Sequence, residues 1–302
     1  MAVRRSKPSH YARPISTGFT QRYGPWALVA GASMGIGAAF SHEAAARGLN
    51  VVMMARGKDL LERVAADVRE RHGIKTLAVV ADLADPGVGE VVAAATDGLD
   101  IGLFVHNAAI APQGRFMDVD LDVQLASVAV NCASPVILCK LLAPKMAARG
   151  RGGIGLVSSL GGLQGSINFA LYNAGKAFQW VLAETLWAEL KPLGVDVNCI
   201  LVGATSSPNY LAYMETLDRA LCDKPGADNP LDRARNRLIN PCPPEQVARA
   251  LYDQLGDGPV CFSDPDDAWI AEATFRLPRD EATRTWVALQ ETATRISSRQ
   301  AL

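Results

Sequence analysis

The sequence predicts an α/β fold, one doubly wound parallel sheet of about seven strands with helices on both faces, and three observations carry that expectation. From Trp26 onward, short apolar runs alternate with longer helical patterns, the signature of repeated βαβ units. Glycines close several of the helical stretches. A glycine cluster at Gly31, Gly35 and Gly37 sits where the first run gives way to the first long helix.

The predicted strands are 27–30, 51–55, 76–80, 101–105, 154–157, 195–201 and a short last one at 260–262. They are rich in Val, Ile and Leu, and such near-continuous apolar runs suit strands buried on both faces. Helical stretches such as 60–71 and 178–191 lie between them, and Gly48, Gly73 and Gly194 stand where a C-cap glycine belongs. After Gly203 the rhythm breaks into Ser206-Ser207-Pro208 and the turn-prone run from Lys224 to Pro230, so residues 207–243 read as an inserted segment covering a site. Residues 244–255 predict one more helix, and residues 264–302 a helical tail broken at Pro278. Residues 24–302 thus form one domain. Residues 1–23, with five basic groups and no acid, read as a flexible arm. An organellar presequence is the alternative, weakened by poor hydrophobic periodicity.

Composition narrows the function. A formal net charge of -1 gives no global field to gather nucleic acid or anionic lipid. No apolar run reads as a membrane anchor, and a small-molecule partner is expected. Cys132, Cys139, Cys199, Cys222, Cys242 and Cys261 lack the close pairs of a zinc site or a compact disulfide framework. Reduced thiols in the cytoplasm, with no metal, fit this spacing.

The first strand runs into Gly31-Ala32-Ser33-Met34-Gly35-Ile36-Gly37 ahead of a helical stretch. Glycines at such a turn let backbone N–H groups and the helix dipole approach a pyrophosphate, although a purely structural tight turn would have the same composition. The G-x-x-x-G-x-G spacing resembles that of the short-chain dehydrogenase/reductase family, which implies a Rossmann-type fold and a nicotinamide cofactor. By that resemblance Asp82 and Leu83 lie beside the adenine, and His106-Asn107-Ala108-Ala109 stands where the family has Asn-Asn-Ala-Gly, which brings Asn107 and Ala108 to the cofactor. His106, ending a buried strand, reads as a hydrogen-bonded structural group rather than a base. The second strand ends in Met54-Ala55-Arg56-Gly57, without the acid that would accept a ribose 2′-hydroxyl. Arg56 is placed instead to meet a 2′-phosphate, a contact of ~1.5–3 kcal/mol, and the cofactor is read as NADP(H). A solvated surface arginine is the plainer reading of the same residue.

Tyr172 and Lys176 are four residues apart at the start of an apolar helix and so share a face. Ser159 closes the fifth strand thirteen residues before Tyr172, and Asn131 lies in the preceding helix. Together the four resemble the family's Asn, Ser, Tyr, Lys tetrad. A phenol with an unperturbed pKa of ~10 transfers protons at neutral pH only if lowered by about two or three units, ~3–4 kcal/mol. A cation at ~4 Å in an effective dielectric of ~20 interacts by about 4 kcal/mol, so Lys176 is expected to lower Tyr172. The resemblance further implies that Lys176 holds the nicotinamide ribose, Ser159 hydrogen-bonds the substrate oxygen and Asn131 fixes a water in a proton relay. It also places Val202, Gly203 and Thr205 against the cofactor. Two departures are Val202 where the family has Pro and Ala30 where it has Thr. The resemblance spans residues 26–207, and 244–262 more weakly; it implies a homodimer or homotetramer paired through the helices around Asn131 and Tyr172.

The expected activity is interconversion of a ketone or aldehyde and an alcohol on a bulky, apolar substrate such as a steroid, polycyclic or aryl ketone. Leu163, Ile167, Phe169, Tyr210, Leu211, Tyr213, Met214 and Leu217 supply the wall, although Leu211, Met214 and Leu217 have helix spacing and equally suit a lid packed on the core. A non-catalytic NADP-binding sensor with this fold is the alternative; a serine hydrolase is disfavoured because Ser159 lacks a G-x-S-x-G elbow.

Overall fold

A computed structural model describes residues 17–215 and 230–294 of the chain. Its seven strands are β1 (Trp26–Ala30), β2 (Asn50–Ala55), β3 (Thr76–Val80), β4 (Ile101–His106), β5 (Gly152–Ser159), β6 (Val195–Val202) and β7 (Val260–Phe262). They form one parallel sheet in the order β3-β2-β1-β4-β5-β6-β7. The chain winds outward from β1 to β3, then crosses back to β4 on the other side of β1. That reversal opens a crevice at the carboxyl ends of β1 and β4, where α/β sheets bind ligands.

The helices are α1 (Thr17–Tyr23), α2 (Gly35–Ala46), α3 (Lys58–His72), α4 (Val88–Ala95), α5 (Leu121–Val128), α6 (Ser134–Ala148), α7 (Ala170–Leu190), α8 (Pro208–Glu215), α9 (Pro230–Ile239), α10 (Pro244–Gln254), α11 (Pro265–Arg276) and α12 (Arg279–Thr294). Alternation along the strands fills two cores. Leu28 and Ala30 pack with Leu138, Leu142 and Met146 of α6 on one face. Ala27 and Val29 pack with Phe40 of α2, Leu61 of α3 and Leu251 of α10 on the other. Gly73 and Gly194 end their helices at φ 67° and 77°, a backbone region that only glycine enters without strain.

One expectation changes, and two segments gain detail. The arm is not free throughout: residues 17–23 form α1, which buries Phe19 and Tyr23. The cause is Asp196, a buried carboxylate in β6 that takes Arg22 Nε at 2.5 Å, Tyr23 Oη at 2.7 Å and Lys191 Nζ at 3.0 Å. Residues 1–16 lie outside the described residues. The inserted segment is helical where it is described, in α8 and α9, and its stretch 216–229, with Leu217 and most of the turn-prone run, lies outside them. The tail breaks at Pro278 as expected, and it packs on the sheet, since Ile270, Ala271 and Leu289 join the α6-side core.

The stretch Leu121–Ala148 is long and apolar enough to cross a membrane by length and composition alone, and 44% of its most apolar window is buried in the protein.

Candidate active site

At the crevice the backbone is bare. Gly31 N and Ala32 N both donate to Met54 O, which fastens the turn to β2. A Cβ on Gly37 would fall 1.8 Å from Gly31 O, and one on Gly31 2.8 Å from Ala108 Cα. Asn107 Nδ2 donates to Gly31 O at 3.1 Å and Ala108 N to Ala30 O at 3.0 Å, so the β4 end braces the turn. Ser33, Met34, Gly35 and Ile36 lead into α2, whose N-cap Met34 makes no side-chain capping bond. Its first N–H groups are therefore free to meet an anion, as a dinucleotide pyrophosphate requires.

Arg56 is exposed just past β2 and makes no ion pair among the described residues. Asp82 Oδ1 accepts from Ala84 N at 2.9 Å, which fixes the loop after β3, and Leu83 is buried. Across the crevice Val202 ends β6, Gly203 N donates to Asp267 Oδ2 at 3.3 Å, and Thr205 Oγ1 donates to Gly203 O at 3.3 Å. Thr205 is buried, with its hydroxyl turned to its own loop.

Ser159, Tyr172, Lys176 and Asn131 are brought together at the end of β5. Ser159 Oγ accepts from Gly161 N at 3.1 Å. Ser158 Oγ donates to Lys176 O at 2.7 Å, and Gly175 lets α7 approach the Asn131 turn, since a Cβ there would lie 2.8 Å from Asn131 Cβ. Lys176 Nζ lies 5.7 Å from the centre of the Tyr172 ring and donates to Val157 O at 2.6 Å. Burial pulls the Lys176 ammonium down to about 8. The Tyr172 phenol is not lowered as expected: burial pushes it up, and the Ser159 hydrogen bond pulls the other way. The ammonium is spent on Val157 and is too far to reverse the burial penalty.

Asn131 lies in a π-helical turn, Ala129–Ala133, between α5 and α6. Its side chain does not hang free: Nδ2 donates to Ile110 O at 2.8 Å and to Ser127 Oγ at 3.0 Å, while Oδ1 accepts from Ile110 N at 3.0 Å. His106 Nε2 is 2.7 Å from Ser134 Oγ, which itself donates to Val130 O, so Nε2 carries the proton. Burial, then the nearby Lys176, lowers His106 to about 3. It is a neutral buried group here.

A cavity of about 230 Å³ opens beside Ser159 and Tyr172. Of the expected wall, Phe169 and Tyr210 line it. Leu163 sits in the core and Leu211 is half exposed, because the loop after β5 turns inward and α8 presents its other face. Neither Ile167 nor Met214 borders it. The far wall comes from Ala234, Arg237 and Leu238 of α9, Ile270 of α11, and Trp286, Leu289 and Gln290 of α12. The sequence reading did not single these out, although Ala282, Trp286 and Leu289 mark one helix face. A second recess, of about 410 Å³, lies over α2, α3 and α10 beside His42, Arg63 and Asp67, and neither Ser159 nor Tyr172 borders it.

A family model for short chain dehydrogenases matches residues 25–216. The chain is 36% identical over 194 residues to a 7beta-hydroxysteroid dehydrogenase of Collinsella aerofaciens, an alignment covering 64% of this chain and 74% of the relative. A solved 7beta-hydroxysteroid dehydrogenase structure superposes with a TM-score of 0.76 at 29% identity, covering 88% of this chain and 98% of the other. A short-chain dehydrogenase from Sphingobium yanoikuyae in complex with NADPH superposes at 0.68 with 25% identity, covering 84% and 94%.

Proposed function

Because the chain belongs to the short-chain dehydrogenase/reductase family of oxidoreductases, we propose that it uses NADP(H) to interconvert a ketone or aldehyde and an alcohol on a bulky, largely apolar substrate. The observation that carries the reading is the convergence of Ser159, Tyr172 and Lys176, with Ser159 and Tyr172 lining a largely apolar cavity that Val202 and Gly203 also border.

NADPH supplies the hydride when bound. The chain's residues do the rest. The bare turn from Gly31 to Gly37 and the uncapped start of α2 hold the pyrophosphate, and Arg56 meets the 2′-phosphate. Asp82, Leu83, Asn107, Ala108, Val202, Gly203 and Thr205 shape the crevice on either side. Ser159 Oγ orients the carbonyl oxygen, and Tyr172 Oη passes its proton to that oxygen as the carbonyl carbon is reduced. In the reverse direction the phenolate accepts the alcohol proton, and Lys176 stabilises it across the ring.

Phe169, Tyr210, Leu238, Ile270, Trp286 and Leu289 surround the substrate, and the likeness to 7beta-hydroxysteroid dehydrogenases supports a steroid-sized polycyclic. Leu121, Leu125 and Val128 of α5 and Phe178 and Val181 of α7 are exposed, an apolar face suited to a homodimer or homotetramer. The five described cysteines are free thiols, which suits the cytoplasm. Steady-state NADPH oxidation with a panel of ketones tests the activity. NADPH binding without turnover of any polycyclic, aryl or small ketone would overturn it.

A further inference from the structure

Three residues beyond Lys176 on α7 stands Gln179, a fully buried amide. Its Oε1 accepts from Lys176 Nζ at 3.4 Å, and its Nε2 donates to the main-chain carbonyl of Asn131 at 2.8 Å. The amide can face only this way, since its reverse would set NH2 against an ammonium and oxygen against a carbonyl. Asn131 is itself pinned by Ile110 and Ser127. An α7 side chain therefore spans the space between the ammonium and the π-helical turn.

We propose that Gln179 is a positioning residue of the reaction: a fixed amide tie that holds the Lys176 ammonium beside Tyr172 and occupies the path from Lys176 to the Asn131 carbonyl. The inference rests on reading Tyr172 and Lys176 as the proton-transfer pair. It departs from the expectation of a water at Asn131. A water both donates and accepts and can pass a proton along, whereas an amide held at both ends has one direction and passes none.

The demand for such a tie follows from what surrounds the ammonium. Its titratable neighbours are Tyr172 on α7, His106 from β4, Cys132 from the π-helical turn and Cys199 from β6. Burial pushes Cys132 and Tyr172 up and Cys199 up to about 12, and His106 sits at about 3. All four are neutral near pH 7, so none is a counter-ion. Among the described residues, Lys176 Nζ finds two acceptors, Val157 O and Gln179 Oε1. One is a strand carbonyl that no substitution removes. The other is a side chain, and with Lys176 already drawn down to about 8, its loss falls in an assayable pH range.

The test uses the full chain. Gln179→Leu deletes the acceptor at nearly constant volume, and Gln179→Glu keeps an acceptor facing Lys176. NADPH-dependent ketone reduction is followed from pH 6 to 10 as kcat/KM, with KM for NADPH and Tm alongside. Gln179→Leu is expected to lower kcat/KM at pH 8 about tenfold or more and to move the alkaline limb down by about one pH unit. Gln179→Glu is expected to place that limb at or above the wild-type position. Should the Leu variant fail to fold, Gln179→Met is read in the same way. A limb that stays put in the Leu or Met variant, with or without a uniform loss of rate, makes Gln179 merely structural and overturns the proposal. Tyr172→Phe is run in parallel, and wild-type turnover there would instead remove the underlying reading of the pair.

Discussion

The guanidinium of Arg237 grips the carboxylate of Asp267 at two points, Nε to Oδ1 at 2.9 Å and Nη2 to Oδ2 at 3.2 Å. The pair is buried, and each partner reaches further. Arg237 also donates to Asn240 O and Ala204 O, while Asp267 accepts from Ser263 Oγ and Gly203 N. One ion pair thereby joins α9 and α11, on the substrate side, to the loop after β6 on the cofactor side. A Cβ on Gly203 would come within 2.1 Å of Asp267 Oδ1, so the glycine is required for this approach.

Replacing one partner strands the other charge without water. Asp267→Asn is expected to lower stability by about 3–5 kcal/mol and to weaken NADPH binding through the loosened Gly203 loop. Urea unfolding at pH 7 measures the first and cofactor titration the second. A loss below about 1 kcal/mol would show that the pair is dispensable to the fold.

Tyr172→Phe deletes the proposed proton donor while leaving the glycine turn and Arg56 untouched. Turnover should fall by at least about a hundredfold, with NADPH affinity within about twofold of wild type. Lys176→Met should damage both, since the ammonium is proposed to serve ribose binding and phenol ionisation. Single-turnover and binding measurements on the two variants separate these outcomes.

Wild type should bind NADPH more tightly than NADH, by about tenfold to a hundredfold for one charge-assisted contact. Arg56→Ala should narrow that gap by weakening NADPH and leave NADH nearly unchanged. Fluorescence titration with both cofactors decides it, and equal wild-type affinities would detach Arg56 from a 2′-phosphate.

Strand positions were readable from sequence because strands buried on both faces leave continuous apolar runs. Thr76–Val80 and Val260–Phe262 coincide with expectation, and the others differ by one or two residues at an end. The nearness of Ser159, Tyr172 and Lys176 was readable because a strand end and one helical turn fix the three locally. What stayed hidden depends on long-range contacts. Nothing near Arg22 reports that a buried carboxylate, Asp196, 174 residues on, takes its guanidinium. A helix face such as Ala282, Trp286 and Leu289 announces burial, but not that its partner is a cavity beside Tyr172. The pKa of Tyr172 likewise depends on how deeply the phenol is buried and where the ammonium is spent.

The α1 latch carries a pH signature. Burial alone would raise Asp196, but hydrogen bonds from Arg22, Tyr23 and Lys191 outweigh it and hold the carboxyl below its ordinary value. A carboxyl depressed in the folded state contributes stability that is fully present above its unfolded pKa, ~3.9, and lost as pH falls through the folded value. Asp196→Asn should therefore be less stable than wild type from pH 5 to 8, and the difference should shrink only below about pH 4. Arg22→Ala should cost less, since Arg22 is half exposed and screened by solvent. Thermal melts across that pH range test both; a stability difference that vanishes already at pH 6 would reject the latch.

The tail's place in the substrate wall gives the last prediction. Trp286 and Leu289 on α12 face the cavity while also packing on the α6-side core, so the helix both closes the domain and shapes the site. Trp286→Ala removes apolar surface that only a large substrate reaches. Partial burial of an indole against a polycyclic contributes about 1–2 kcal/mol, which corresponds to roughly a tenfold loss in kcat/KM for such a ketone. A small ketone bound near Ser159 and Tyr172 does not extend to α12, and its kcat/KM should hold within about twofold. NADPH affinity should also hold, because Trp286 is none of the residues proposed to hold the cofactor. Tm will drop through the lost core contact, so the assay temperature is kept well below the variant's transition. The discriminating quantity is the ratio of kcat/KM for the polycyclic and the small ketone. An unchanged ratio would mean that the substrate stops short of α12, and the proposed substrate would have to be smaller than a steroid.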